Sequence, residues 1–243
     1  MASTVLQELL NAPIAPTVYP FSADILCSYA RALKAEGFPL LEVLARPAEA
    51  TFRVIQEINV RPERHLIHWG IGTILTESLA RQAIALQPDF LVSPAFSRRV
   101  LHVAVQAGIP YIPGVCTFQD VQDVLEAFEA EGLRVQVLKL CPIEGITSDY
   151  VRMLGGCYPN IAFCPTGEVT LENLGAWKST PYIAAPMGSL FVPETALEQR
   201  DFEAVRRHLR IIREVAEKGR SGQVNPVSAV VQTSTLPLSA AGN

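Results

Sequence analysis

Short apolar runs rich in Val, Ile, Leu and Phe recur along this chain about every 20 to 26 residues, and segments with helical periodicity fill the gaps. That rhythm constrains the fold more than any other feature. The runs lie at 14–19 (IAPTVY), 39–45 (PLLEVLA), 65–70 (HLIHWG), 89–94 (DFLVSP), 110–115 (PYIPGV), 135–140 (VQVLKL), 160–165 (NIAFCP) and 181–186 (PYIAAP). Near-continuous apolar strands belong to a parallel sheet whose faces are covered by helices. Several intervening segments stop at glycine, at Gly37, Gly108 and Gly132, where helices commonly end. Eight such units in 243 residues predict one α/β domain over 1–220, a closed (β/α)8 or TIM barrel. The alternative, an open doubly wound sheet, calls for a glycine-rich turn after an early strand. Here the first run leads into YPFSADI, which has no glycine. A short amphipathic helix around Val5–Leu10 is expected before the first strand, suited to cap one end of the barrel. The small, polar segment 221–243 reads as a flexible tail.

Composition narrows the partners. Hydrophobic residues make up 49% of the chain and charged ones 18%, a balance suited to a well-buried core. The net charge is only −4, with both signs mixed along the chain, so neither a nucleic acid nor a membrane is an expected partner. No secretory signal is evident at the N-terminus, and a cytoplasmic protein is expected. The cysteines (Cys27, Cys116, Cys141, Cys157 and Cys164) form no CxxC pair, and their odd number suits a reduced chain better than a disulfide framework. His65 and His68 lack acidic or thiol companions and sit in a strand-like run, so structural roles are expected and no metal site.

Barrel chemistry sits at the C-terminal ends of the strands. Lys139 stands there among apolar neighbours in VQVLKLCP. Burying an ammonium lowers its pKa or destabilises the fold, and an amine that loses its proton readily can attack a carbonyl and form a Schiff base. Glu42, in a similarly apolar setting, could act as general acid–base. An internal Lys139–Glu42 ion pair explains both residues equally well at this point. Arg46 is placed either to grip a carboxylate by a bidentate contact or to cap the rim near Glu49.

Taken in order, these strand ends resemble the 2-keto-3-deoxy-6-phosphogluconate / 4-hydroxy-2-oxoglutarate (KDPG/KHG) aldolase family over residues 5 to 218. The family's I-E-V-T-x-R reads here as LEVLAR with Glu42 and Arg46, and its G-A-G-T as GIGT with Gly70, Gly72 and Thr73. Its S-P is Ser93-Pro94, and its I-P-G-x-x-T is IPGVCT with Pro113, Gly114 and Thr117. Its K-L-F-P is KLCP with Lys139 and Pro142, and P-T-G-G and G-G-S appear as PTGE at 165–168 and MGS at 187–189. The resemblance implies a class I aldolase that needs no metal or other cofactor and releases pyruvate from a 2-oxo acid, usually as a homotrimer. It implies that Lys139 forms the imine and Glu42 shuttles protons. Arg46 and Thr73 would bind the carboxylate and Thr166 orient the 2-oxo acid, with Pro94, Gly167, Gly188 and Ser189 also around the substrate.

The chain departs from the family at Cys141, where a phenylalanine is usual, and at Asp120, where a glutamate is usual. It departs again at Glu168 and Met187, where glycines are usual. The loops after strands seven and eight are where such barrels often bind phosphate through backbone N–H groups, and Glu168 would repel one. The expected substrate is a 2-keto-3-deoxy sugar acid or 4-hydroxy-2-oxo acid, unphosphorylated or else phosphorylated with a much raised KM, and a Schiff-base aldolase for an unphosphorylated sugar acid is one alternative. A member that binds a 2-oxo acid without turnover is the alternative from another class, and the retained Lys139, Glu42, Arg46 and Thr166 speak against it.

Overall fold

The computed structural model describes residues 2–220, so the tail expected at 221–243 lies outside the described residues. Among the described residues there are nine short strands: β1 Ala15–Val18, β2 Leu40–Leu44, β3 His68–Gly72, β4 Phe90–Val92, β5 Tyr111–Ile112, β6 Gly114–Val115, β7 Val137–Leu140, β8 Ala162–Pro165 and β9 Met187–Gly188. The helices before and between them are α1 Ala2–Asn11, α2 Ala23–Ala35, α3 Ala48–Asn59, α4 Glu77–Ile84, α5 Arg98–Gln106, α6 Phe118–Ala130, α7 Ser148–Cys157 and α8 Leu171–Lys178. After β9 come α9 Glu194–Glu198 and α10 Phe202–Arg220. All strand pairs are parallel, in the orders β5-β4-β3-β2-β1-β9 and β6-β7-β8.

The two sheets are one ring. β5 and β6 are a single barrel strand interrupted at Pro113, which has no N–H to give to a ladder. On the far side the bridges Phe163↔Ile183 and Thr166↔Met187 join β8 to the β9 segment. The (β/α)8 architecture read from the sequence is therefore the one present. Two boundaries differ. The sequence pattern puts the eighth strand at 181–186, but only Ile183 bridges there and the paired strand is Met187–Gly188. Pro181 and Pro186 have no N–H to pair, and Tyr182 sits at φ 68. His65 is not in a strand at all. It closes a 3-10 turn, Pro62–His65, opened by a proline, and β3 begins only at His68.

Strand alternation sorts the core into two shells. One face of each strand packs against the helices, through Leu41, Val43, Trp69, Ile71, Leu91, Leu138 and Phe163. The other face fills the barrel with Ala15, Leu40, Phe90, Val92, Val137, Ala162, Cys164 and Met187. Helix α1 closes the lower end of this interior with Val5, Leu9 and Leu10, as its amphipathic pattern led one to expect. The N–H of Ala185 donates to Leu9 O at 2.8 Å. Helix starts follow side-chain chemistry: Ser22, Thr76, Ser97, Thr117 and Thr147 each accept an N–H from the first turn they precede.

The C-terminal carbonyls of α1 meet two cations. Lys178 Nζ donates to Ala12 O and Ala184 O, both at 3.2 Å. Arg220 reaches Asn11 O at 2.6 Å and Leu10 O at 3.0 Å. Burial first, and then the Arg220 charge, pull Lys178 down to about 7. The unfolded chain holds this proton up to the ordinary 10.5, so between pH 7 and 10.5 the unfolded state binds more protons. Stability from this residue therefore rises with pH across that window. Urea unfolding of wild type and Lys178→Met should show wild type gaining on the variant from pH 7 to 9.5. Parallel curves would show that Lys178 keeps its proton in the fold.

Candidate active site

Inward positions on β2 and β7 bring one carboxylate and one ammonium to the middle of the barrel. In register, Glu42 stands beside Thr17 on β1 and Gly70 on β3, while Lys139 stands beside Gly114 on β6 and Cys164 on β8. Although their strands are not neighbours, Lys139 Nζ lies 3.6 Å from Glu42 Oε1. Lys139 is 5% exposed and Glu42 is fully buried. Thr17 Oγ1 donates to Glu42 Oε2 at 2.9 Å. Oε1 has no hydrogen-bond donor among the described residues, so one oxygen of the carboxylate is anchored and the other faces the lysine without a donor.

The glycine at the end of β3 makes this arrangement possible. A Cβ on Gly72 would stand 1.8 Å from Glu42 Oε1, inside the carboxylate. One step earlier, a Cβ on Gly70 would meet the Phe90 ring at 2.1 Å. The two glycines of GIGT thus leave room for the carboxylate and for the aromatic floor beneath it.

Around this pair, the other residues singled out in the sequence take places at the same, C-terminal end of the strands. Arg46 follows β2, is exposed, and makes no ion pair with another described residue, Glu49 included. Thr73 follows β3, is buried, and sits at φ 65. A β-branched residue in that left-handed region costs about 1–3 kcal/mol, and such strain clusters at functional sites. Pro94 is half-buried after β4. Thr166 and Gly167 follow β8, with Thr166 Oγ1 donating to Cys164 O at 3.2 Å. Gly188 lies in β9 and Ser189 just beyond it.

Two sequence readings need correction here. Met187 is not part of an open loop: it lies in β9, fully buried among the residues that fill the barrel, because its position is inward-facing. Glu168 is exposed, and its backbone carbonyl accepts from Asn173 Nδ2 at 2.7 Å. The carboxylate that stands over this loop is instead Glu144, whose Oε1 would be 3.2 Å from a Cβ on Gly167. The sequence reading missed Glu144, and also Thr17, whose lone hydroxyl on an apolar strand was the available signal. The Asp120 departure is explained: with Thr117 it forms the capping box of α6, accepting from the N–H groups of Cys116 and Thr117 at 2.9 and 2.8 Å. Burial pushes the Asp120 carboxyl up, but these N–H bonds outweigh it and hold the group below its usual range.

Residues 5–208 match the family described as KDPG and KHG aldolase. The chain belongs to this family. A 2-dehydro-3-deoxy-phosphogluconate aldolase of Treponema pallidum is 30% identical over 204 residues, covering 83% of this chain and 92% of that one. Among solved structures, a 4-hydroxy-2-oxoglutarate/2-dehydro-3-deoxyphosphogluconate aldolase superposes with a TM-score of 0.74 at 27% identity, over 87% of this chain and 98% of that one. A KDPG aldolase of Legionella pneumophila, captured with pyruvate as a covalent carbinolamine, gives the same TM-score at 24% identity and shares the fold, over 87% and 98% of the two chains. As a member of this family the chain is an aldolase, a lyase that forms pyruvate through a Schiff base. Among the described residues no three His, Cys, Asp or Glu side chains cluster as metal ligands, and no helix is long and apolar enough to cross a membrane.

Because Gly72 shares space with Glu42, Gly72→Ala should displace the carboxylate and lower kcat on the order of 10²-fold, the scale of a misplacement near 1 Å. Circular dichroism would establish that the barrel is intact. Turnover near wild type in a folded Gly72→Ala would show that the Glu42 position does not depend on this glycine.

Proposed function

We propose that this aldolase cleaves a 2-keto-3-deoxy sugar acid or 4-hydroxy-2-oxo acid to pyruvate and an aldehyde, with Lys139 as nucleophile and Glu42 as acid–base. The supporting observation is the buried pair itself: an ammonium 3.6 Å from a carboxylate oxygen that has no hydrogen-bond donor among the described residues. Glu42 takes a proton from Lys139, and the free amine attacks C2 of the 2-oxo acid. Glu42 then returns a proton to the carbinolamine hydroxyl, which leaves as water and yields the protonated imine. That imine is an electron sink. When Glu42 removes the proton of the C4 hydroxyl, the C3–C4 bond breaks and its electrons enter an enamine instead of a free carbanion. The aldehyde departs, C3 is protonated, and water releases pyruvate and restores the amine. The carbinolamine captured in the Legionella relative supports the first of these steps for a barrel of this fold.

The exposed Arg46, which has no ion pair among the described residues, and the strained Thr73 are assigned to the substrate carboxylate, and Thr166 to the bound 2-oxo group. Pro94, Gly167, Gly188 and Ser189 line the remainder of the substrate path. A homotrimer is the assembly assigned to the chain. The carboxylate of Glu144 beside Gly167 favours an unphosphorylated substrate, since an anion within ~5 Å of another costs about 3 kcal/mol per unit charge at an effective dielectric near 20.

Pyruvate release should be abolished in Lys139→Arg, which keeps the charge but not the nucleophile. In Glu42→Gln it should fall by about 10² to 10⁴, the usual range for a lost general acid–base. A folded Glu42→Gln with lower thermal stability and undiminished turnover would reduce the pair to a structural ion pair. For the substrate, kcat/KM should be higher for 2-keto-3-deoxygluconate than for its 6-phosphate. A preference for the phosphate that is unchanged in Glu144→Gln would contradict the assignment.

A further inference from the structure

The family phenylalanine two residues after the lysine is replaced here by Cys141, and a second cysteine stands beside it. The register Gly114↔Lys139, Val115↔Leu140 leads directly to Cys116 and Cys141, and Cys141 N donates to Val115 O at 3.0 Å, half of the next rung. Neighbouring positions on adjacent strands are about 4.8 Å apart, within the roughly 4.4–6.8 Å between Cα atoms that a disulfide spans. By strand alternation both side chains share the inward face of Lys139. Cys116 is also held in place. Its N–H donates to Asp120 Oδ2 at 2.9 Å, its carbonyl accepts from Tyr150 Oη at 2.8 Å, and its Sγ lies 3.8 Å from Pro142 O, next to Cys141. Cys27 and Cys164 are buried, whereas Cys116 and Cys141 are both partly exposed. Burial, with Glu144, Glu42 and Cys116, holds the Cys141 thiol above its ordinary range although the Lys139 charge lowers it, so Cys141 rests as a thiol within the field of Lys139 and Glu42.

We propose that Cys116 and Cys141 are a peroxide-sensitive modification site whose disulfide closes the approach to Lys139. Cys116 sulfur, as the thiolate, displaces hydroxide from hydrogen peroxide and becomes a sulfenic acid. The hydroxide takes the proton of the Cys141 thiol, whose sulfur then attacks the sulfenic sulfur and forms the S–S bond, and the hydroxyl group leaves as water with the proton that Cys116 gave up. In balance, two thiols and one peroxide give one disulfide and two waters, with two electrons passing from sulfur to peroxide oxygen. The bond would tie the ends of β6 and β7 together over the inward face, one alternation beyond Lys139, where a 2-oxo acid must enter. A thiol reductant reverses it by exchange.

The activity arm of the test rests on the Schiff-base reading; the covalent arm does not. Trypsin cuts after Arg134 and Lys139, which places Cys116 in peptide 100–134 and Cys141 in peptide 140–152. After peroxide treatment of the full chain and digestion without reductant, the two peptides should elute as one species, lighter than their sum by two hydrogens. Pyruvate release should fall on the order of tenfold or more and return with dithiothreitol. Cys116→Ser should match wild type before oxidation and keep its activity afterwards. If no linked peptide forms, the site does not exist. A linked peptide with undiminished pyruvate release would overturn the closure of the pocket, as would an equal reversible loss in Cys116→Ser. Should that variant fail to fold, the wild-type peptide map and its reversal by dithiothreitol decide the matter. A chain that releases no pyruvate before oxidation would instead refute the aldolase reading, with the peptide map still reporting on the cysteines.

Discussion

Two opposite charges held out of water in the middle of a barrel organise everything around them. Neither Lys139 nor Glu42 could be kept there alone, because removing one partner of a buried pair leaves an uncompensated charge, typically costing about 3–5 kcal/mol. The fold meets this demand with few elements. Thr17 anchors one carboxylate oxygen, Gly72 leaves space for the other, and the apolar layer of Phe90, Val137 and Met187 beneath them belongs to the floor of the barrel. An ion pair is often only a structural device. Here the carboxylate oxygen left without a donor faces the lysine at the end of the barrel where the loops open, which is what proton transfer to and from a bound substrate requires.

The two ends of the barrel divide the labour. At the lower end α1 is a plug, and Lys178 and Arg220 hold its last carbonyls. Lys178 is as buried as Lys139 and has a lowered pKa, the property usually sought in an imine-forming amine, but its nitrogen donates to two backbone carbonyls beneath a closed helix. A lowered pKa alone would therefore favour Lys178. The proposal of Lys139 rests on position, since Lys139 shares its end of the barrel with Arg46, Thr73 and Thr166.

The barrel was legible because its signal is local and repeated: each βα unit carries its own apolar run and its own helix stop. Lys139 and Glu42 were legible because charge within an apolar strand stands out along the chain. Less visible were features created by neighbours far apart in sequence. That Gly72 leaves room for Glu42, or that Glu144 stands over Gly167, depends on distances across strands. Met187 was misplaced for a related reason. A motif match located it near the loop, but the side of the strand it faces is set by pairing with Ala15 on β1. The Cys116–Cys141 neighbourhood likewise exists only in the β6–β7 register.

The most direct test of the Lys139 assignment is covalent. Incubating the protein with pyruvate and borohydride should add a single reduced pyruvate, and peptide mass mapping should place it on Lys139. The blocked lysine would resist trypsin, joining 140–152 to the peptide before it. An adduct on Lys178, or no adduct at all, would contradict the account.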